Sequence, residues 1–435
     1  MHKQNRKAFI KQMERGGVAI FASAPPAKWN HDTEYLYRPD PNFYYLTGFE
    51  EPDSICVIAP EHPKYQYILF VRPKDKQAEI WNGKRVGVKD ARKHYGADKV
   101  YPIEKFSEKI GKYLQGAKRL YYTLGSNEDV DSEILALFTQ SVRSRIRSGK
   151  GFDTLVDPSP ILSELRLIKN ETELQRIRQA TDITVAGHVA AMKAVRPGMY
   201  EYDLEALVES TFRMNGAGGP AFPTIVASGG NATTLHYTRN DRQIEDETLV
   251  LIDAGAEYSR YAGDVTRTFP ANGTFTEAQR EIYQLVLDAH CAIIDGIRPG
   301  VSIDEPHQKS VELLTESMLS LGLLKGKTQK LIKKEKYRQF YMYRVGHMLG
   351  LDVHDVNCVR EANGDFKTFQ PGMVMTIEPG LYVADDTKDV PPAYLGIGIR
   401  IEDDILVTES GCEVLTDGVP KEMDEIEALV RGTKQ

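Results

Sequence analysis

Four cysteines in 435 residues, Cys56, Cys291, Cys358 and Cys412, stand far apart and form no CxxC pair. That spacing excludes a disulfide framework and a zinc ribbon, and suits free thiols in a reducing cytosol. Long apolar runs are also missing: none approaches the roughly 20 residues needed to span a bilayer, so no membrane partner is expected. The opening stretch MHKQNRKAFIKQMERGG is charged throughout and holds no apolar core of signal-peptide length, which leads to the expectation of a cytoplasmic protein. There is no excess of positive charge either. The net charge is −7, which argues against nucleic acid as a partner, because phosphate binding needs clustered cations. The one strongly basic stretch, KGKTQKLIKKEKYR at 325–338, has no recognition motif and reads as a solvated face.

What is present is an ordinary globular composition, 41% hydrophobic and 27% charged, in a chain long enough for two domains. The expected class is α/β (α+β). Residues 1–168 read as an amino-terminal α/β domain, with strand-like runs VAIFA, SICVIA and YILFV between loops rich in Pro, Asp and Gly. A second domain, 169–435, opens with a helix that Asn170 can cap and Glu173 can close, with Leu174, Ile177, Ile183 and Val189 as its apolar stripe. The phrases VRPGM (195–199) and IRPGV (297–301) each end a helical stretch ahead of another helix and a strand pair, a faint sign of two duplicated halves.

Carboxylates dominate the chemistry. TLVLIDAGAEY is an apolar strand ending on Asp253, and the chain returns as AGDVTRTF with Asp264. A hairpin turning between Tyr258 and Ser259 would set the two acids opposite each other, with Cβ atoms about 5 Å apart. GIGIRIEDDIL alternates, so Arg400 and Glu402 share one face, and the cation should lower the pKa of the acid and orient it. Glu378 ends the strand of MVMTIEPGLY, while His347 and His354 flank GHMLGLDVH, where Gly350 argues against one continuous helix. Four clustered acids would repel one another, yet with one imidazole they make an oxygen-rich cage for two divalent cations. Between such cations water is acidified into a nucleophile, so the chemistry is hydrolysis. The residues alone do not name the bond that is cut.

The ordered phrases DAG, GDVTRT, GHMLGLDVH, IEPGLY and GIRIEDD resemble those of the pita-bread metallopeptidases (family M24), and among them the proline-specific aminopeptidases, the aminopeptidase P group. NFYYLTGFEEPDS (42–54) and AEIWNGKRVG (78–87) extend the resemblance over almost the whole chain. It implies a pita-bread catalytic domain with pseudo-two-fold halves, behind an amino-terminal domain that serves oligomerisation and the site entrance. It implies two metal ions, manganese first, with cobalt, zinc or iron as alternatives. Asp253 would bind one ion, Asp264 and Glu402 would bridge, and His347 and Glu378 would bind the second, with Glu378 also a proton shuttle. His236, in TTLHYTRN, and His354 would contact substrate and stabilise the tetrahedral intermediate. Arg400 and Tyr382 would support the site, and Trp81 would stand at its entrance. The partners implied are peptides with proline second, and a homotetramer or homodimer in which a neighbouring subunit walls the site. Tyr343 departs from the pattern, because close relatives carry histidine there, four residues before the metal histidine. A prolidase, restricted to dipeptides, is the alternative activity. A non-catalytic scaffold on the same fold is the alternative class, and such relatives typically lose metal ligands.

Overall fold

The computed structural model describes residues 1–356 and 358–432. They form two compact units, Met1–Leu165 and a second beginning at Arg166.

The first unit is built on one mixed sheet of β1 (Gly17–Ala22), β2 (Ile55–Ile58), β3 (Tyr67–Val71), β4 (Lys99–Pro102), β5 (Arg119–Tyr121) and β6 (Thr154–Val156), ordered β4-β3-β2-β1-β5-β6. The three expected apolar runs are its central strands β1, β2 and β3, paired antiparallel, with β4, β5 and β6 added parallel at the two sides. Near-continuous apolar sequence fits central strands buried on both faces. Val18, Ile20, Val57, Phe70 and Leu120 pack against Phe106 and Ile110 of one helix and Ile134 of another, Glu128–Ser148. Asn127 starts the latter by accepting from the Val130 amide (3.2 Å).

The second unit opens with the helix Glu171–Ala194. The Asn170 side chain accepts from the amides of Thr172 and Glu173, and the Glu173 carboxylate returns a bond to the Asn170 amide (3.0 Å), the full capping box. After a second helix, Glu201–Met214, come β7 (Gly219–Pro220), β8 (Ile225–Ser228), β9 (Leu249–Ala254), β10 (Ala256–Tyr258), β11 (Tyr261–Ala262) and β12 (Val265–Pro270), with β8-β9-β12 forming an antiparallel sheet. Helices Glu277–Ile294 and Glu305–Ser320 begin the second half. They precede β13 (Val374–Ile377), β14 (Gly380–Val383), β15 (Ile397–Arg400), β16 (Asp403–Val407) and β17 (Cys412–Val414), and β13-β16-β17 form another three-stranded sheet.

Duplication is visible in the backbone. Gly198 and Gly300, the last residues of the two RPG stops, both have positive φ (93° and 87°). The Gly198 amide donates to Ile244 O and the Ile244 amide to Met199 O. In the second half the Gly300 amide donates to Phe369 O and the Phe369 amide to Val301 O, the same exchange one repeat later. A φ in this region strains any residue with a Cβ, which is why glycine closes both turns.

One expected register is wrong. The hairpin turns at Ser259–Arg260, not between Tyr258 and Ser259, and Asp253 pairs with Thr266. Both turn residues have positive φ (50° and 73°), the geometry of a type I′ turn without its usual Asn or Gly. An ion pair from Arg260 back to Glu257 (3.2 Å) supports it. Asp264 therefore lies one step diagonally from Asp253, still on the same face of the ribbon.

Candidate active site

The structure brings Asp253, Asp264, His347, Glu378 and Glu402 to the floor of one cleft of about 790 Å³, together with His236, Tyr343, His354 and Arg400. Each acid arrives from a strand end. Asp253 is near the end of β9, Asp264 just precedes β12, Glu378 follows β13, and Glu402 lies between β15 and β16. Neighbouring strands from both halves thus present their ends to one space.

His347 is aimed by its own backbone. Its Nδ1 donates to the Met348 carbonyl (3.1 Å), which fixes the tautomer and leaves the Nε2 lone pair free. Nε2 stands 3.5 Å from Asp264 Oδ2 and 3.7 Å from Glu378 Oε1. The His347 amide donates to Thr376 Oγ1 and the Thr376 amide to His347 O, tying this irregular segment to β13. Asp264, His347 and Glu402 each offer a ligand atom, all within 4.8 Å of one another.

Arg400 is the organiser, though not in the expected way. Its Nη2 donates to Asp253 Oδ2 (2.6 Å), its Nε to Thr266 Oγ1 (2.9 Å) and its Nη1 to the Tyr382 hydroxyl (2.8 Å). Thr266 Oγ1 in turn donates to Glu402 Oε2 (2.7 Å). Arg400 stands beside Glu402 as expected, but its guanidinium reaches across to Asp253 on β9 and meets Glu402 through Thr266. Arg400 pulls the Glu402 pKa down as expected, yet the net shift is upward. Burial and the charges of Asp264, Glu378 and Asp253 push it well above the usual carboxylate range, and Arg400 offsets only part of this. Burial and Asp253 likewise push Asp264 well up. Burial takes Glu378 from 4.5 to about 7, against the opposing pull of His347 and Arg400.

His354 and His236 are both exposed to the cleft. The His354 ring meets that of His347 edge-on, with centroids 4.3 Å apart, and burial, then His347 and His236, hold its pKa below the usual histidine value. The Tyr343 hydroxyl donates to the Glu378 carbonyl (2.8 Å) and meets the Tyr382 hydroxyl (2.8 Å). Tyr382 is buried behind it and reaches the site through Tyr343 and Arg400. Trp81 is the exception. It sits in the first unit, on the helix Lys76–Asn82, with 85% of its surface exposed, whereas the residues that line the cleft come from the second unit.

Two supporting residues escape a reading of the sequence. Thr266 shares its hydroxyl between Arg400 and Glu402, and the buried Asp404 accepts from the Asp264 amide (2.9 Å). The alternation of GDVTRTF would have placed Thr266 on the Asp264 face. Nothing local signals Asp404, whose partner lies 140 residues away.

The donor set suits divalent cations. Asp253 Oδ1 and Asp264 Oδ1 are buried oxygens without a hydrogen-bond partner, an arrangement that costs free energy unless a cation meets them.

Comparison with known proteins agrees. Residues 175–409 match the profile of metallopeptidase family M24, and residues 2–122 that of the aminopeptidase P amino-terminal domain. The chain is 41% identical over 434 residues to the Xaa-Pro aminopeptidase of Escherichia coli, covering 98% of this chain and 97% of that one. It is 40% identical over 428 residues to the Xaa-Pro aminopeptidase of Haemophilus influenzae, covering 98% and 96%. Among solved structures, a Pseudomonas aeruginosa aminopeptidase superposes with a TM-score of 0.96 at 44% identity, covering 100% of this chain and 98% of that one. Zinc-substituted Escherichia coli aminopeptidase P in complex with product gives 0.95 at 40% identity with the same coverage. The chain belongs to metallopeptidase family M24, with the pita-bread catalytic domain and the amino-terminal domain of its aminopeptidase P members.

Proposed function

We propose that this chain is a metal-dependent aminopeptidase that releases the first residue of peptides with proline second. The observation that carries the reading is the convergence of four carboxylates and one tautomer-fixed imidazole on a single open cleft. The role assignments follow the donor set. Asp253 would hold one divalent ion, Asp264 and Glu402 would be shared, and His347 and Glu378 would hold a second. The bound ions, which we take to be manganese with cobalt, zinc or iron as substitutes, would supply Lewis acidity and acidify a water for attack.

The chain's own groups have distinct tasks. Glu378, lining the cleft beside His347, is the carboxylate placed to accept a proton and return it to the leaving amine. His236 and His354 face the cleft and can donate to the oxygen that gains charge as the carbonyl becomes tetrahedral. Arg400 holds Asp253 and Tyr382 in register. Phe222, Pro223, Ile225, Leu235, Val353 and the Tyr343 ring give an apolar wall suited to a pyrrolidine ring. Proline's amide has no N–H to donate, so a site that recognises it must rely on shape.

The exposed Trp81 fits the entrance role when supplied by a neighbouring subunit, and a homotetramer or homodimer accordingly belongs to the proposal. A cytoplasmic location belongs to it too. Among the described residues no helix is long and apolar enough to cross a membrane.

The test is turnover of an Xaa-Pro-Xaa tripeptide beside the matching Xaa-Pro dipeptide, before and after chelation and metal return. Metal-dependent release of the first residue from the tripeptide is expected. Turnover of the dipeptide alone would make the chain a prolidase.

A further inference from the structure

Glu201 is a fully buried carboxylate outside the metal cluster. It opens the helix Glu201–Met214, and five donors converge on it. Its Oε1 accepts from the Ser228 amide (2.6 Å), the Ser228 hydroxyl (2.8 Å) and Asn231 Nδ2 (3.0 Å). Its Oε2 accepts from the Tyr237 hydroxyl (2.8 Å) and the Arg242 amide (3.0 Å). The Glu201 amide adds a bond to the Arg242 carbonyl (3.0 Å).

All these partners lie in one stretch, 228–242, which leaves β8 and returns before β9 with only a short 3₁₀ turn, Gly229–Thr233, as regular structure. The stretch carries Leu235, His236 and Thr238, which line the cleft. One carboxylate therefore binds its beginning, its middle and its end. Among the described residues no hydrogen bond holds the His236 ring, so the placement of that ring follows from its backbone. Tyr237 turns inward to Glu201 while its neighbour His236 is exposed to the cleft.

We propose that Glu201 is the positioning residue for His236, holding the 228–242 loop so that the imidazole faces the substrate carbonyl. The inference rests on the role given above to His236. Charge and symmetry both matter here. Each carboxylate oxygen faces a backbone N–H, Ser228 on one side and Arg242 on the other. A glutamine amide would set its NH₂ against one of these donors in either orientation, so Glu201→Gln breaks the clamp although it keeps the shape. Glu201→Asp keeps both acceptors on a shorter arm.

The test is a double-mutant cycle between Glu201→Gln and His236→Ala, read as kcat and KM on one Xaa-Pro tripeptide, with metal content and amide hydrogen exchange of 228–242 measured in parallel. His236→Ala should lower kcat by about a hundredfold. Glu201→Gln should lower kcat by about tenfold, with metal content unchanged and faster exchange at the loop amides. The double variant should match His236→Ala within about twofold, and Glu201→Asp should recover part of the loss. Should Glu201→Gln not fold, Tyr237→Phe and Ser228→Ala, which each remove one hydroxyl donor, enter the same cycle with smaller expected losses. Multiplying effects in the cycle, or an unchanged kcat in the clamp variants, would overturn the positioning role and leave the role of His236 standing. A silent His236→Ala would overturn both.

Discussion

Glu402 and Asp403 are adjacent, equally buried and opposite in behaviour. Asp403 receives Arg267 Nη2 (2.7 Å), Lys421 Nζ (2.8 Å) and Thr416 Oγ1 (2.7 Å). Burial pushes its carboxyl up, but Arg267, His290 and Lys421 push it further down, well below the usual range. Glu402 faces three other acids and is driven up by burial and by their charge. Arg400 is the fixed cation bonded to that cluster among the described residues. One carboxylate is balanced by cations of its own chain and serves the fold. The other is left to be balanced from outside, which is the condition of a ligand. Burial alone therefore does not distinguish a functional acid from a structural one; the origin of the counter-charge does.

The comparison breaks if the two acids cannot be separated by substitution. Asp403→Ala leaves Arg267 buried without its acid and should cost about 3–5 kcal/mol of stability, seen as a lower denaturation midpoint. Compared metal-free, Glu402→Ala should keep that midpoint within about 1 kcal/mol of wild type, because it removes an acid that faces three others. Yet it should lose metal binding and at least about 3 kcal/mol of transition-state stabilisation. Near-normal turnover by Glu402→Ala would end the ligand assignment.

Acidity sharpens it. Glu378 is raised from 4.5 to about 7, so it favours the folded state below about 4.5, and that contribution is lost as pH rises through about 7. Stability of the metal-free protein should fall across that window, by up to about 3 kcal/mol for this group. Added divalent ions should reverse the trend and release protons below pH 7, measurable by calorimetry in two buffers. A metal-free midpoint that climbs through the same window would contradict the account.

A smaller effect separates ligands from substrate contacts. His354→Ala should retain full metal content while kcat drops by roughly 10²-fold. Loss of metal would move His354 among the ligands.

The smallest effect concerns Tyr343. Its hydroxyl makes bonds to the Glu378 carbonyl and to Tyr382, so Tyr343→Phe should change kcat/KM by about tenfold or less. Tyr343→His should bring no large gain. A rise beyond about 100-fold in the histidine variant, far above one net hydrogen bond, would mark the natural protein as an impaired peptidase and reopen the scaffold reading.

Legibility follows the range of the interaction. Strands β1 to β3, the capped helix at Asn170 and the repeated RPG turns are local patterns, and each is visible in a few consecutive residues. The four acids that meet one imidazole in the cleft stand out because apolar strand-like runs end on charges. The turn at Ser259–Arg260 is hidden because two residues with a Cβ hold conformations that usually need glycine or asparagine. The true partner of Arg400 lies 147 residues away on β9, and no alternation pattern points to it. Glu201 is hidden for a related reason: two of its partners are backbone amides, 27 and 41 residues on, and any amino acid but proline offers one.

The seam between the two halves also sets a timetable. Asp253 and Glu402 come from different halves, and the Glu402 amide bonds across to Thr266 O (3.0 Å). Asp253 and Glu402 stand far apart in the chain, so the cluster of acids cannot assemble until most of the chain has been made. The cluster is therefore a property of the finished fold, complete only when strands of both halves are present.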